Sequence, residues 1–393
     1  MDLNGIQAAL RESNIDGWLF YDHHRRDPIA YRVLKIAPVM CTRRWYYLIP
    51  AEGEPSKLVH RIEKGNLAGL PGVEYQYSSW PEQRECLGKI VEGKKRVAMQ
   101  YSALNDIPYV GLVDAGTVEL VKGFGVEVVS SADLVQSFEA RWSDEQLALH
   151  LSAGKVVHAA VAAAFTMIRE AMRAGRTIGE YDVQQEMVRL FETNEVTTDE
   201  APNVSVNRNS ANPHYSPTRE SSLAIQAGDF VLLDVWGKMK APGAVYFDIT
   251  WTGFVGEEVP SRYAEIFEVV REARDLTVNF VKQAMRHGRV VHGYEVDDVA
   301  RGIVTRPGYG QYFVHRTGHS IGEDVHGNGA NMDNFETHDT RKIIPRTCFS
   351  VEPGIYLAEF GVRSEVNVYV EEHDAWVTGE MQQAVVPILA ASR

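Results

Sequence analysis

Cysteine is scarce in this 393-residue chain, which contains only Cys41, Cys86 and Cys348. The three lie far apart, and neither a CxxC pair nor a histidine at ligand spacing accompanies them. This pattern argues against a disulfide framework and against a thiolate metal site. We expect three reduced thiols without a functional role, because free cysteine is usually buried.

Basic residues are also few relative to acidic ones. Lysine and arginine total 40 against 53 aspartate and glutamate residues, which gives a net charge of −13. Because an acidic surface repels phosphate backbones, nucleic acid is not an expected partner. The hydrophobic fraction of 45% and the charged fraction of 24% are typical of globular proteins, so a disordered chain is not expected.

The sequence lacks long apolar runs as well. Residues 1–7 do not combine a basic start with the apolar run of a secretory signal. No uninterrupted apolar stretch approaches the roughly 18 residues that a membrane-spanning helix needs. We therefore expect a soluble cytoplasmic protein without a membrane partner.

Two domains are expected from the length and from the local patterns. Short strand-like segments at residues 17–21, 44–49 and 96–100 alternate with helical segments, which is typical of an α/β domain. A long alanine-rich helix with a capping signal begins near Ser143. The predicted domains are therefore residues 1–140 and 141–393.

The second part contains an internal repeat. Residues 171–176 recur as residues 284–289 with five identities in six positions, and residues 181–183 correspond to 294–296. Both pairs have an offset of 113, since 284 − 171 and 294 − 181 agree. We expect a duplicated α+β unit with two similar halves around a pseudo-twofold axis. A cleft between such halves is a natural place for a site.

Two aspartates fall on a predicted β-hairpin. Asp234 lies in a strand at residues 230–236 and Asp248 in a strand at 244–251, with a Pro-Gly turn signal between them. The midpoint of the pair, residue 241, falls in that turn, so we expect the two side chains to oppose each other directly. Like charges so placed destabilise a sheet. The alternatives are a shared proton with a raised pKa, or a bound cation.

Three further candidates follow downstream of the hairpin. His319 is flanked by glycines, Glu352 precedes a Pro-Gly pair, and Glu365 opens a predicted strand at residues 365–370. Each residue alone also fits an ordinary structural role. Together with the two aspartates, they form an oxygen-rich donor set with one imidazole, which suits Mn²⁺, Co²⁺ or Zn²⁺. Bridging carboxylates suit two ions about 3.5 to 4 Å apart.

The flanking motifs carry a family resemblance. The five residues stand within Leu-Leu-Asp, Phe-Asp-Ile-Thr, Thr-Gly-His-Ser-Ile-Gly, Val-Glu-Pro-Gly-Ile-Tyr and Gly-Val-Arg-Ser-Glu. In that order they resemble the pita-bread metallopeptidases, a family that includes methionine aminopeptidase, aminopeptidase P, prolidase and the metal-free creatinase. The resemblance covers residues 150–393 and is closest to a divergent bacterial prolidase. It implies an α+β pita-bread catalytic domain after a creatinase-like α/β N-terminal domain.

The resemblance also implies roles for the five residues. Asp234 would hold one ion, Asp248 and Glu365 would bridge both, and His319 with Glu352 would complete the coordination shell of the second ion. A hydroxide that bridges the metals would attack the scissile carbonyl, and Glu352 would also pass the proton to the leaving nitrogen. Two more matching residues would stabilise the oxyanion: His214 and His326.

Substrate contacts are implied less sharply. Arg363 resembles the arginine that meets a C-terminal prolyl carboxylate, but it could equally form an ion pair with Glu365 or a neighbouring carboxylate. His315 could line the same pocket. The sequence departs from the family at Trp251, where an arginine near the metals is usual, at Gly327, where a glutamate is common, and in a longer hairpin between the two aspartates.

The expected function is hydrolysis of the Xaa-Pro bond of dipeptides by a homodimer with two divalent ions, most readily Mn²⁺, with Co²⁺ or Zn²⁺ as alternatives. Short proline-containing peptides would be the substrates. One alternative is an Xaa-Pro aminopeptidase acting on longer peptides. Others are a lyase for a small non-peptide substrate and a binding module that has lost activity, although the latter predicts eroded ligands.

Overall fold

The computed structural model describes residues 1–391 and divides into two compact units. Unit 1 is Met1–Ala140, and unit 2 begins at Arg141.

Unit 1 is built on a six-stranded mixed sheet. The strands are β1 Gly17–Asp22, β2 Trp45–Pro50, β3 Ser56–His60, β4 Val73–Tyr77, β5 Arg96–Met99 and β6 Glu127–Ser130, and their order in the sheet is β4-β3-β2-β1-β5-β6. The predicted strands near residues 17, 44 and 96 are confirmed as β1, β2 and β5. The helices are α1 Leu3–Glu12, α2 Pro28–Leu34, α3 Trp80–Val91, α4 Ala115–Lys122 and α5 Ala132–Val135.

Helices cover both faces of this sheet. Along β1, Trp18 and Phe20 belong to one buried apolar cluster, whereas Leu19 and Tyr21 belong to another on the opposite face. Side chains alternate between the two faces along a strand, and here both faces are covered, so every residue of β1 is buried. Unit 1 is therefore a three-layer α/β domain, as the sequence predicts.

Unit 2 combines four long helices with three small sheets. The helices are α6 Asp144–Arg173, α7 Glu180–Thr193, α8 Ser261–Arg286 and α9 Gly293–Thr305. One sheet contains β7 Val196–Thr197, β8 Asn203–Val206, β9 Phe230–Met239, β10 Phe247–Phe254 and β17 Val386–Pro387. A second sheet contains β11 Ser320–Ile321, β12 Cys348–Val351, β15 Val366–Val370 and β16 Ala375–Val377, and a two-stranded ribbon contains β13 Gly354–Tyr356 and β14 Gly361–Arg363.

Helix α6 forms the centre of the core of unit 2. Ser143 and Gln146 form the capping box that the sequence predicts at its start. By length and composition alone, α6 is the one helix within residues 1–391 that could cross a membrane. Its buried residues Val157, Val161 and Phe165 pack in one apolar cluster with side chains of β9 and β10.

The internal repeat is visible in the helix pairs. Helices α6 and α8 end at Arg173 and Arg286, and α7 and α9 begin at Glu180 and Gly293, so both offsets are again 113. Each first helix is followed by a left-handed glycine, Gly175 at φ 63° and Gly288 at φ 65°, a conformation that side chains disfavour. The predicted duplication is therefore present in the fold.

The predicted register of the β9–β10 hairpin is wrong by two residues. Asp234 pairs with Thr250, and Asp248 pairs with Trp236. The two carboxylates share a face but lie diagonally rather than directly opposite. The pairing centres on residue 242, since (234 + 250)/2 = 242, one position after the predicted centre. When the centre of the pairing moves by one residue, the residue opposite each position changes by two. The two aspartates therefore stay on the same face of the hairpin, but they no longer stand directly opposite each other.

Candidate metal centre

Three of the predicted ligands converge in unit 2. Ligand atoms of Asp248, His319 and Glu365 all lie within 4.8 Å of one another, and all three residues are buried. Asp248 stands on β10, while His319 and Glu365 directly precede β11 and β15. The backbone N–H of Glu365 donates to the carbonyl of Thr250 at 3.3 Å, which joins the two sheets beside the cluster.

His319 is oriented by its backbone surroundings. Its Nδ1 lies 3.1 Å from the carbonyl of Ser320, so Nδ1 donates and Nε2 keeps its lone pair. That Nε2 lies 3.6 Å from Asp248 Oδ2 and 3.4 Å from Glu352 Oε1. Burial lowers the pKa of His319 and favours the neutral ring that binds metal ions.

Gly318 explains why a glycine precedes this histidine. A Cβ at position 318 would lie 1.9 Å from the carbonyl oxygen of Ser350. The same serine accepts the His319 N–H through its hydroxyl at 2.9 Å. Only glycine lets β11 and β12 approach closely enough to set the imidazole in place.

The buried carboxylates lack the charge compensation that they need. Burial raises the pKa of Asp248 well above its usual value, and the carboxylates of Asp234 and Glu352 raise it further. Burial likewise raises the pKa of Glu365, followed by the charges of Asp248 and Glu352. Asp248 Oδ1 and Glu365 Oε1 have no hydrogen-bond partner among the described residues. Two orphaned carboxylate oxygens beside a free imidazole nitrogen fit divalent cations.

Arg363 lies against the predicted ligands. Its guanidinium forms an ion pair with Asp234, and its Nε donates to Thr250 Oγ1 at 2.8 Å. Of the two interpretations of Arg363, these contacts favour an ion pair with a neighbouring carboxylate over a substrate contact.

A chain of hydrogen bonds extends outward from Arg363. Its terminal nitrogen donates to the Tyr356 hydroxyl at 3.2 Å, and that hydroxyl lies 2.7 Å from His315 Nε2. His315 Nδ1 lies 2.6 Å from the carbonyl of Arg316, so Nε2 accepts from the tyrosine. Burial lowers the pKa of His315 to about 3, which keeps the ring neutral. His315 thus acts on the site through Tyr356.

Thr250 and Tyr356 are site residues that the sequence reasoning missed. Thr250 donates to Glu365 Oε2 at 2.8 Å and lies 3.3 Å from Asp234 Oδ1, so it links two predicted ligands. Thr250 could have been predicted from the sequence, because it stands two positions after Asp248 and therefore on the same face of the strand. Tyr356 ends the Val-Glu-Pro-Gly-Ile-Tyr motif, but its partners lie elsewhere in the chain.

One of the two predicted oxyanion histidines lies beside the cluster. The His326 ring is perpendicular to the His319 ring, with centroids 4.4 Å apart. Because a protonated His326 would be repelled by a proton on the adjacent His319, and because burial disfavours charge, the pKa of His326 is lowered to about 2. The structure therefore brings His326 against a predicted ligand, whereas His214 is exposed and, among the described residues, is linked to the site only by a weaker electrostatic influence on the pKa of His326.

The strands around the hairpin add two polar groups that the sequence did not suggest. Asn203 pairs directly with Asp234 across β8 and β9, and its buried Oδ1 has no hydrogen-bond partner among residues 1–391. Trp236, opposite Asp248, donates through its indole nitrogen to Asp199 at 2.9 Å. Directly paired residues share a sheet face, so both side chains stand on the face that carries the aspartates.

The expectation that Trp251 lies near the metals is wrong. Residues 250 and 251 point to opposite faces of β10, and Trp251 packs against the apolar cluster around α6. Its ring meets His158 edge-on at 6.0 Å. The other departure, Gly327, lies close to the site, where a Cβ would approach Ser320 Oγ at 3.0 Å. A larger residue at 327 would require the loop to move.

The sequence pattern of metallopeptidase family M24 matches residues 149–372, more than half of the chain. This chain belongs to metallopeptidase family M24. The matched segment includes all five predicted ligands, from Asp234 to Glu365.

Curated relatives match part of the chain. It is 37% identical over 164 residues to an Xaa-Pro dipeptidase of Lactobacillus helveticus, which covers 41% of this chain and 40% of the relative. It is 32% identical over 190 residues to a putative Xaa-Pro aminopeptidase of Mycoplasma pneumoniae, covering 47% and 48%. The chain thus spans less than half the length of these curated relatives.

A solved structure matches nearly the whole chain. The dipeptidase PepE of Mycobacterium ulcerans superposes with a TM-score of 0.73 at 20% identity, covering 98% of this chain and 96% of the other. At this identity the likeness establishes the fold alone. The M24 metallopeptidase has the two-domain α+β pita-bread architecture.

Proposed function

We propose that this M24 protein hydrolyses the Xaa-Pro bond of dipeptides with two divalent ions. The observation that carries the proposal is the pair of orphaned oxygens, Asp248 Oδ1 and Glu365 Oε1, beside the free Nε2 of His319. Buried carboxylates without a hydrogen-bond partner are costly unless a cation is bound.

Five residues would hold the ions. Asp248 and Glu365 would be the central ligands, together with His319. Glu352 lies against His319, and Asp234 forms the ion pair with Arg363. The oxygen-rich set with one imidazole favours Mn²⁺, with Co²⁺ or Zn²⁺ as alternatives. When bound, the ions would supply Lewis acidity and lower the pKa of water.

The protein's own groups would handle the proton and the carbonyl oxygen. Glu352 Oε1 accepts from the Ser350 hydroxyl at 3.0 Å and faces His319, so its carboxylate is held where it can carry a proton to the leaving nitrogen. The neutral His326 ring has an N–H that can donate to the substrate carbonyl. His214 adds a second donor on the exposed side.

The dipeptide preference is tested with a pair of substrates. Steady-state rates on Ala-Pro and Ala-Pro-Ala, each with Mn²⁺ or Co²⁺, should favour the dipeptide. A strong preference for the tripeptide would favour the second candidate, an Xaa-Pro aminopeptidase, an activity that the name of the Mycoplasma relative also suggests. Absence of peptide cleavage, together with breakage of the carbon–sulfur bond of a small sulfonium substrate, would favour the lyase alternative.

The number of ions is tested by metal analysis. Purified protein loaded with Mn²⁺ and then desalted should contain two equivalents per chain. Less than one equivalent would refute the two-ion centre without touching the peptidase assignment.

A cytoplasmic location and a homodimeric state belong to the same proposal. The homodimer follows from the family resemblance alone, and the cysteine-poor composition supports the location. Cell fractionation and sedimentation velocity of the full chain test them. A monomer at micromolar concentration, or activity confined to the membrane fraction, would contradict them.

A further inference from the structure

A cavity of about 890 Å³ opens at one edge of the sheet of unit 1. Its lining includes Tyr21, His60 and Tyr77, which lie at or next to the carboxyl ends of β1, β3 and β4. These three strands run in the same direction, because β2 is antiparallel to both β1 and β3 and β4 is parallel to β3. Ligand sites in open α/β sheets form outside the carboxyl ends of parallel strands, and the volume is typical of such sites.

The cavity is strongly basic within a chain of net charge −13. Its lining contains four arginines and two histidines but one carboxylate, Asp114. The basic residues are Arg26, Arg43, Arg44, Arg84, His23 and His60.

Nearby acidic groups are occupied by other partners. Asp114 caps α4 by accepting the N–H of Thr117 at 2.9 Å. The buried Asp22 accepts the backbone N–H groups of Arg25 and Arg26 at 3.0 and 2.7 Å. Among residues 1–391, no carboxylate forms an ion pair with the guanidinium of Arg26, and the same holds for Arg44 and Arg84. Four arginines gathered beside only Asp114 in the lining, and with Glu63 engaged by the Thr42 and Arg43 backbone, repel one another, so the cavity favours an anion.

A buried amide points to a ligand independently of these charges. Gln83 lines the cavity and is 2% exposed, and its Nε2 has no acceptor within hydrogen-bond distance in the described part of the chain, although the amide stands close enough to Tyr77 to influence its hydroxyl. A buried donor without a full hydrogen bond destabilises the folded state. An oxyanion in the cavity would satisfy it.

An aromatic ring adds to the same cavity. Helices α3 and α4 both begin at its wall, with Trp80 and Gly116 in their first turns. Trp80 is 65% exposed, and the Arg84 guanidinium lies 5.0 Å from its ring centroid. This pair forms a flat platform next to the cationic groups.

We propose that the cavity binds a small molecule with at least two phosphate or carboxylate groups and a planar portion that stacks on Trp80. Two or more negative charges are needed because a single one would leave most of the arginine charge uncompensated. The site lies within unit 1 and does not depend on the proposed peptidase activity.

Three probes distinguish the chemistry in calorimetric titrations of the full chain after metal removal, at constant physiological salt. Inorganic pyrophosphate presents phosphates alone, citrate presents carboxylates, and ADP adds a planar ring to two phosphates. We expect saturable binding of at least one probe below about 1 mM. Tighter binding of pyrophosphate than of citrate assigns phosphate, the reverse order assigns carboxylate, and tighter binding of ADP supports the stacking role.

Variants locate the binding. Arg26→Gln and Arg84→Gln should each weaken it about tenfold, since each removes a charged hydrogen-bond donor. The matched control is Arg25→Gln, an equal charge change at a neighbouring exposed residue that does not line the cavity, and it should change Kd less than about twofold. Trp80→Ala should weaken the binding of ADP more than the binding of pyrophosphate.

Three results would overturn the proposal. The first is no saturable heat with any probe up to about 1 mM. The second is equal weakening by Arg25→Gln and Arg26→Gln, which would mean general charge attraction. The third is loss of binding in Arg363→Met with retention in Arg26→Gln, which would place the anion at the candidate metal centre.

Discussion

The two faces of the β9–β10 hairpin have opposite character. One face carries Asp234, Asp248 and Thr250, which meet His319, Glu365 and Arg363. The other face packs apolar side chains against helix α6, and it carries Val231, Leu233, Val235, Phe247, Ile249 and Trp251.

This difference separates function from stability within one pair of strands. The polar face buries like charges, which opposes folding unless cations or Arg363 compensate them. The apolar face removes hydrocarbon from water and holds the strands in place despite that cost. Substitutions on the polar face should therefore affect metal binding and turnover, whereas those on the apolar face should affect folding.

The largest effect is expected for Asp248→Asn on the polar face. The amide keeps the shape of the side chain but loses the charge of a proposed central ligand. Mutating a residue that merely orients a metal ligand typically lowers metal affinity or activity 10- to 100-fold. Losing a ligand itself should therefore lower kcat/KM on Ala-Pro more than about a thousandfold. Metal content should fall with it. Activity within tenfold of the parent enzyme would remove Asp248 from the metal centre.

Ile249→Ala tests the apolar face one residue away. Ile249 is 1% exposed, and its truncation should lower the free energy of unfolding by about 2 to 5 kcal/mol in urea titrations. The folded fraction should keep its metal content and its kcat within about threefold, because the side chain points away from the ligands. A loss of metal at full stability would contradict the separation of the two faces.

Arg363→Met tests the cation that supports the polar face. Methionine keeps much of the length but leaves Asp234 without its partner, so kcat should fall about 10- to 100-fold with smaller changes in KM. The alternative role, binding the substrate carboxylate, predicts a different pattern. In that case Arg363→Met would raise KM for Ala-Pro. It would not change the hydrolysis of Ala-Pro-amide, which lacks the carboxylate and would already be a weak substrate of the parent enzyme.

Much of the polar face could be predicted because its signals are local. Gly318 and His319 are adjacent, and the close approach to Ser350 explains why the motif needs glycine. The alternation along β10 was also readable, and it would have placed Trp251 away from Asp248. Overlooking that alternation, rather than missing information, produced the error at Trp251.

The remaining features depend on contacts between distant segments. The hairpin register depends on which residue centres the turn, and a Pro-Gly signal does not fix that within one position. The partner of Arg363 lies 129 positions earlier in the chain, since 363 − 234 = 129. The cavity of unit 1 draws its arginines from several elements with no common motif, so its basic character emerges only after folding.

A smaller effect is expected in the pH dependence of the metal-free protein. The raised pKa values of Asp248 and Glu365 mean that the folded chain holds protons that the unfolded chain releases above about pH 4. Their stabilising contribution is therefore present at low pH and is lost as pH rises toward the folded pKa. Urea titrations in EDTA should show stability falling with pH by about 1 kcal/mol or more relative to Asp248→Asn. An identical slope in the variant would refute this origin.

The smallest effect is expected for Trp251→Phe. The Trp251 indole nitrogen is buried without a hydrogen-bond partner in the described chain, so phenylalanine removes an unsatisfied donor while leaving a small void. These contributions oppose each other, and the free energy of unfolding should change by less than about 1 kcal/mol. The ratio of kcat/KM for Gly-Pro and Leu-Pro should stay the same. A changed ratio would mean that Trp251 shapes the pocket for the first residue through the strand, and the two faces of the hairpin would then be coupled.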